Sequence, residues 1–220
     1  MEDPIAGWGD AVGTSHKEAE LPHVSRPATE LVPGLPLRFP VAVRPPRGFK
    51  PDKPETWPQE GRLEFYDGRL LYMPPCVDDQ ADVVFSVTQV LGPWLKKNRA
   101  FVGSTNEAGM ILAGSVRAAD AALWRKADLA DQVRGTLRRV PPVLAVEVGG
   151  QDEDEAALRE KATWYLDRGV RIVWLVIPRA RQVIVLTTSG ATKHGAGERL
   201  DATPVLPGLT PAVKDFFEQL

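Results

Sequence analysis

Two acidic residues occupy positions where an apolar residue is the usual choice. Asp120 lies in the apolar segment AADAALW, and Glu147 lies in the apolar segment LAVEVGG. A lone carboxylate in an apolar strand is costly to desolvate, and strand propensity does not favour aspartate there. A divalent cation would account for both acids, because Mg²⁺ and Mn²⁺ take oxygen ligands and offset the repulsion between carboxylates. We therefore predict that neighbouring strands bring Asp120 and Glu147 to one cation.

Lys161 lies on the helix predicted after the Glu147 strand, over residues 154 to 168. On a helical wheel it falls about 60° from Leu158, next to Tyr165, and so borders the apolar side of the helix. A helix that folds back along the sheet would bring this lysine towards Glu147. Three other interpretations stay open: an acid at a sheet edge with its carboxylate in water, a lysine that extends to solvent, and a buried ion pair without chemistry.

The elements that position these residues are predicted between residues 59 and 220. The segment RLEFYDGRLLYM predicts a hairpin turning at Asp67-Gly68. The segment ADVVFSVTQVLGPWLKK has helical apolar spacing, with Asp78 or Asp79 as N-cap and Pro93 kinking or ending the helix. AFVGS and GMILAG are predicted as two separate short strands.

The rest of the domain is predicted to be mostly strands. A C-terminal helix is expected over residues 211 to 219, presenting Val213, Phe216 and Phe217 to the body. The remaining predicted strands are SVRAADAALW, PPVLAVEV, RIVWLVI and QVIVLTT. This order predicts an α/β fold of α+β character, in which helices flank a mixed β-sheet. Residues 1 to 58 are rich in proline and are predicted to form an irregular or disordered arm.

Composition limits the classes of function. The chain has 220 residues, 43% of them apolar, and a formal net charge of −2. No segment is long and apolar enough to span a membrane, and the N-terminus lacks the features of a signal peptide, so we expect a cytoplasmic protein. A single cysteine, Cys76, and three scattered histidines predict neither a disulfide framework nor a zinc site. No organic cofactor is predicted.

From about residue 63 to the C-terminus, the order of segments resembles the Uma-two family of restriction-endonuclease-like proteins, a branch of the PD-(D/E)XK nuclease superfamily. Each matching segment is short, but their order and spacing are fairly specific. The segments are LEFYDGRLLYMPP, RAADAALWR, LAVEVGG, REKATWYLDRGVRIVWLVIP and LPGLTPAVKDFF.

The resemblance implies a restriction-endonuclease-like fold and a magnesium-dependent nuclease that hydrolyses DNA. It implies that Asp120 and Glu147 bind the metal, that Val148 offers its backbone carbonyl to it, and that Lys161 orients the attacking water or stabilises charge on phosphorus. Glu64 would hold a second metal or a metal-bound water. Because nucleases that cut both strands often act as pairs, a homodimer is one expected form.

Four residues depart from the family pattern, namely Ala119, Gly150, Ala157 and Ile177. Polar neighbours orient metal ligands, and these departures remove some of the polar side chains that the family pattern places near the site. This supports a rival hypothesis, an inactive nuclease-fold module that binds nucleic acid or protein in a mobile-element or defence system. An esterase is a more remote rival, since the chain lacks a Gly-x-Ser-x-Gly segment. Basic residues in the loop between the acidic strands are expected either to contact phosphates or to be ordinary solvated charges. They are Arg125, Lys126, Arg134, Arg138 and Arg139.

Overall fold

A computed structural model of the protein describes residues 41–45, 47–51, 53–57, 62–73, 76–150 and 153–220. This part of the chain forms one nine-stranded sheet with two α-helices. The strands are β1 (Val41–Val43), β2 (Arg62–Tyr66), β3 (Arg69–Met73), β4 (Phe101–Leu112), β5 (Ser115–Arg125), β6 (Leu144–Val148), β7 (Ile172–Ile177), β8 (Gln182–Thr187) and β9 (Gly190–Gly195). The helices are α1 (Asp78–Lys97) and α2 (Glu155–Asp167).

The sheet is mixed, as predicted. Its order is β1-β3-β2-β5-β6-β7-β8-β9, and β4 pairs with the other edge of β5. The β6–β7 pair is parallel and the other ladders are antiparallel. A parallel pair needs a crossover connection, and α2 provides it. This crossover places α2 directly after the strand that carries Glu147.

The two helices cover opposite faces of the sheet. Successive residues of a strand point to opposite faces, so β6 contributes to both layers. Val146 and Val148 pack with Val83 and Val87 of α1. Ala145 packs with the apolar face of α2. Glu147, on the same side of β6, forms an ion pair with Lys161 of α2.

The described strands begin before the predicted hairpin. Val41–Val43 pairs with β3, and Trp57 is buried in a small cluster with Phe49 and Phe65. These residues belong to the segment predicted as a proline-rich arm. Residues 1–40, 46, 52 and 58 of that segment lie outside the described residues, and the predicted boundary at residue 58 stays a prediction.

The first predicted helix is correct, but the predicted N-cap is wrong, and Pro93 does not end the helix. Val77 is the N-cap residue without a side-chain hydrogen bond, and Asp78 is the first helical residue. Pro93 lies inside the helix, which continues to Lys97. The last turn is held by tertiary packing, because the Trp94 indole N–H donates to the Pro207 carbonyl at 2.9 Å.

Two further corrections concern strand β4 and the C-terminus. AFVGS and GMILAG belong to one strand, β4, which is interrupted only by a bulge at Asn106 and Glu107 with positive φ. The predicted C-terminal helix is a short 3₁₀ helix, Val213–Phe217, although the predicted residues are buried. None of the described helices combines the length and apolar character needed to cross a membrane.

Candidate active site

Strand β5 changes its neighbour midway along one edge. It pairs with β2 at Val116 and with β6 from Ala121 onward. Between them, the Ala118 N–H donates to Glu64 Oε1 at 3.1 Å, and the Ala118 carbonyl accepts from Lys161 Nζ at 3.1 Å. Side chains therefore satisfy backbone groups that a continuous ladder would have paired. This fork in the sheet positions two of the predicted site residues.

At the end of β6, side chains again bond to backbone groups that a neighbouring strand would otherwise pair. The Val148 N–H donates to Asp120 Oδ2 at 2.7 Å, and the Val148 carbonyl accepts from Gln80 Nε2 at 2.9 Å. Burial raises the pKa of Asp120, although Lys161 and the Val148 N–H act in the opposite direction. The backbone N–H and the carbonyl of Val148 are thus held by a strand carboxylate and a helix amide, respectively.

Glu147 lies on the α2 side of β6 and is 4% exposed. Its Oε2 is 2.7 Å from Lys161 Nζ, and its Oε1 accepts a hydrogen bond from the Tyr165 hydroxyl at 2.8 Å. Burial raises the pKa of Glu147 to about 8, with Lys161 lowering it and Asp120 adding to the rise. The carboxylate is therefore held in place by two donors from α2 but remains costly to ionise.

Lys161 is the buried cation among these acids. Its Nζ is 2.7 Å from Glu147 and 3.4 Å from Glu64 Oε1. Burial alone would lower the pKa of Lys161, but Glu147 and Glu64 outweigh burial and raise it. The ammonium group therefore stays protonated and bridges carboxylates from two strands. We call Glu64, Asp120, Glu147 and Lys161 the carboxylate–lysine cluster.

Glu64 has a second cationic partner. Its Oε2 is 2.9 Å from Arg117 Nε, and the Arg117 guanidinium lies 4.8 Å from the centre of the Tyr66 ring and 5.4 Å from that of Trp164. Burial raises the pKa of Glu64, but Lys161 and Arg117 outweigh it and lower the pKa overall. Glu64 is therefore the carboxylate of the cluster that is most firmly ionised.

Two further acids lie close enough to interact electrostatically with Lys161. Glu107, in the β4 bulge, forms an ion pair with Arg62 at 2.5 Å, and Glu153 precedes α2. Burial raises the pKa of both acids, and Asp120 adds to the rise in each. Among the described residues, these two acids and the three of the cluster have three cations beside them, Lys161, Arg117 and Arg62, so ionising all five acids at once would leave the site with net negative charge.

The structure brings all four predicted side chains together, with Val148 between Asp120 and Gln80. Tyr165 lies on the apolar side of α2, as the helical wheel indicates, and its hydroxyl also holds Glu147. Sequence reasoning gave no role to Arg117, and its place in a strand next to a predicted acid was the available signal. Arg125, where the basic loop begins, lies five residues from Asp120 along β5, about 17 Å away.

The oxygen atoms at the fork are of the chemical type that a hard divalent cation takes as ligands. No group of three or more histidine, cysteine or acidic side chains within the described ranges has the geometry of a metal site. Asp120, Glu147 and the Val148 carbonyl form a smaller set, which suits Mg²⁺ because this ion keeps several of its waters. Carboxylate and carbonyl oxygens have two lone pairs each, so these groups keep acceptor capacity beyond their present hydrogen bonds.

Gln80 allows the contribution of the Val148 carbonyl to be tested. Gln80→Met keeps the length of the side chain but removes the donor, and we expect Mn²⁺ affinity to fall about 10- to 100-fold. Isothermal titration calorimetry measures the affinity, with Gln89→Met on the same helix as the control. Unchanged affinity in a folded Gln80→Met protein would contradict a role for this carbonyl.

A mixed sheet with helices on both faces, and acids with a lysine at its fork, defines a restriction-endonuclease-like α+β fold, as predicted. A solved structure has a similar fold: a protein from Anabaena variabilis titled "putative nuclease belonging to DUF820" aligns with a TM-score of 0.68 and 15% identity. The alignment covers 78% of this chain and 98% of that one.

The family follows from the sequence match. The model of the Uma2 family, described as "Putative restriction endonuclease", matches residues 51–214. The chain belongs to this family, and the resemblance found in the sequence is confirmed. A comparison with curated proteins finds no match.

Proposed function

We propose that the protein is a divalent-metal-dependent endonuclease that hydrolyses phosphodiester bonds in DNA. The observation that carries this proposal is the meeting of Asp120 and Glu147, from two adjacent strands, with the Lys161 ammonium group at one fork of the sheet. Family membership and fold support the same class of hydrolase.

Asp120, Glu147 and the Val148 carbonyl are the groups proposed to hold Mg²⁺ or Mn²⁺. When bound, such an ion lowers the pKa of a water molecule and polarises the phosphodiester. Tyr165 fixes the Glu147 carboxylate through Oε1, and Gln80 fixes the Val148 carbonyl. These two contacts offer polar support in a site where Ala119, Gly150 and Ala157 replace the residues expected from the family pattern.

Lys161 is proposed to orient the attacking water or to stabilise the negative charge that develops on phosphorus. Its contacts to Glu64 and the Ala118 carbonyl keep it in the fork when Glu147 binds a cation. Glu64 was predicted to hold a second metal or a metal-bound water. In this proposal it positions Lys161 instead, because its carboxylate already pairs with two cations, Arg117 and Lys161.

The rival is a nuclease-fold module without catalytic activity. It is favoured by one observation: both oxygens of Glu147 and the carbonyl of Val148 already bond to groups of the protein itself. In such a module the ion pair would serve stability alone. Divalent metal binding separates the two functions, because only the nuclease needs Asp120 and Glu147 as ligands.

The proposal is tested by incubating the full chain with supercoiled plasmid, linear duplex and single-stranded DNA in Mg²⁺, Mn²⁺ or EDTA. We expect cleavage with either metal, none in EDTA, and loss of cleavage in Asp120→Asn. Glu218→Gln, at an exposed position, is the control. The nuclease proposal fails if the folded wild type cuts none of these substrates, or if Asp120→Asn cuts as well as the wild type.

A further inference from the structure

A cavity of about 620 Å³ is lined by residues of β2 and α2, the strand and helix that carry Glu64 and Lys161. It lies between α2 and the two hairpin turns that follow β2 and β4. We call it the α2 pocket, and its volume falls within the usual range of ligand sites. The lining residues that matter for recognition are Tyr66, Asp67, Glu160, Trp164, Asp167 and Arg168.

Two residues that line the α2 pocket are near neighbours of cluster residues along the chain. Tyr66 follows Glu64 by two residues on β2, so the two side chains lie on one face about 7 Å apart. Trp164 follows Lys161 by three residues on α2, which places their Cβ atoms about 5–6 Å apart. Arg117 contacts both sides, since it pairs with Glu64 and stacks on Tyr66 and Trp164. A nucleotide whose phosphate lies at the cluster therefore reaches the pocket.

The charges of the pocket disfavour phosphate. Asp67, Glu160 and Asp167 are exposed carboxylates, and Arg168 is the cation among the six residues named above. Such a surface repels an anion but accepts hydrogen bonds from N–H groups. A DNA strand can therefore place a base here more favourably than a phosphate.

The same wall also carries an aromatic surface. The ring of Tyr66 is half-buried and lines the pocket beside the carboxylates of Glu160 and Asp167. The pocket therefore combines hydrogen-bond acceptors with a ring, two features that a nucleobase with an amino group matches.

We propose that the α2 pocket binds an unpaired base bearing an exocyclic amino group, from a nucleotide next to the phosphodiester at the cluster. The amino group donates to Glu160 or Asp167, and the base stacks on Tyr66. This inference rests on the proposed nuclease function and adds a substrate class to it. A base within a duplex has both faces stacked on its neighbours and cannot stack on Tyr66, so the pocket selects single-stranded or branched DNA.

The test measures binding of fluorescent oligonucleotides to the full chain by anisotropy, with Ca²⁺ in place of Mg²⁺ and the probes checked for integrity. Three probes are compared: a single strand of dC, a single strand of dT, and a fully paired hairpin. Wild type is expected to bind dC more tightly than dT, because thymine lacks an exocyclic amino group. The pocket variant is Glu160→Ala combined with Asp167→Ala, both at exposed positions of α2.

The variant is expected to bind dC about 10-fold more weakly, the loss typical of a base-edge hydrogen-bond pair. Its affinity for the hairpin should stay constant or rise, because two charges that repel DNA have been removed. Asp128→Ala with Glu218→Ala removes two exposed charges away from the pocket and should not weaken dC binding.

Two results would overturn the inference: equal affinity of the wild type for dC and dT, or parallel changes for dC and hairpin in the pocket variant. If the wild type also cuts DNA with Mg²⁺, only the inference fails and the nuclease function stands. If the wild type neither binds nor cuts any DNA, both fail.

Discussion

Glu147→Gln is expected to abolish metal-dependent cleavage while leaving the protein folded. Glutamine keeps the shape of the side chain but lacks the negative charge proposed to bind the cation, and we expect the cleavage rate to fall on the order of 10³-fold. Plasmid nicking assays over a series of enzyme concentrations measure this loss. Cleavage within 10-fold of the wild type would show that Glu147 is not a metal ligand.

The same variant should be at least as stable as the wild type above neutral pH. Burial raises the pKa of Glu147 to about 8 in the folded state, above its ordinary value of 4.5. The folded state therefore holds this proton more tightly, so Glu147 lowers stability as the pH rises from about 4.5 to 8. Glutamine does not titrate, and urea denaturation at pH 5.5 and pH 8 should show a flatter pH dependence for the variant.

Lys161→Met is expected to have the largest effect on stability. Methionine fills similar space but leaves Glu147 and Glu64 buried beside each other without the ammonium group between them. Removing one partner of a buried ion pair typically costs about 3–5 kcal/mol when the other charge is left uncompensated. Glu147→Gln differs, because Lys161 keeps Glu64 as a partner in that variant. Urea denaturation of the metal-free proteins measures the loss, which should be greater at pH 8 than at pH 5, because the remaining carboxylates are protonated more easily at low pH.

A double variant separates this charge effect from a packing effect. Lys161→Met with Glu147→Gln removes one charge of each sign, so it should recover much of the stability that Lys161→Met loses. A double variant no more stable than Lys161→Met alone would indicate that the lysine contributes through its packing. Neither variant should cleave DNA, so the double variant is expected to regain stability without regaining cleavage.

Much of the fold was predictable because its elements have strong local patterns. Asp67-Gly68 marks a hairpin, and the apolar spacing of α1 marks a helix that covers a sheet. The bulge of β4 was missed because the polar residues Thr105, Asn106 and Glu107 look like a strand end, whereas pairing with β5 continues on both sides of them. Pro93 was expected to disrupt α1, but tertiary contacts of Trp94 hold the last turn.

The candidate site was predictable to the extent that it breaks the apolar pattern. Asp120 and Glu147 stand out in their strands, and the helical position of Lys161 points towards the sheet. Tyr165 and Gln80 do not stand out, because a tyrosine on an apolar face and a glutamine in a first helical turn are ordinary choices. Their roles depend on where β5 separates from β2 and β6, which is a property of strand pairing and not of local sequence.

The central claim is that Asp120, Glu147 and Val148 hold a divalent cation beside Lys161. Anomalous scattering from crystals of the full chain soaked in Mn²⁺ locates such an ion directly. We predict one strong peak within bonding distance of the Asp120 and Glu147 carboxylates and the Val148 carbonyl, absent in crystals of Asp120→Asn. Crystals that bind Mn²⁺ only elsewhere, with Lys161 still paired to Glu147, would contradict this account and favour a nuclease fold without catalysis.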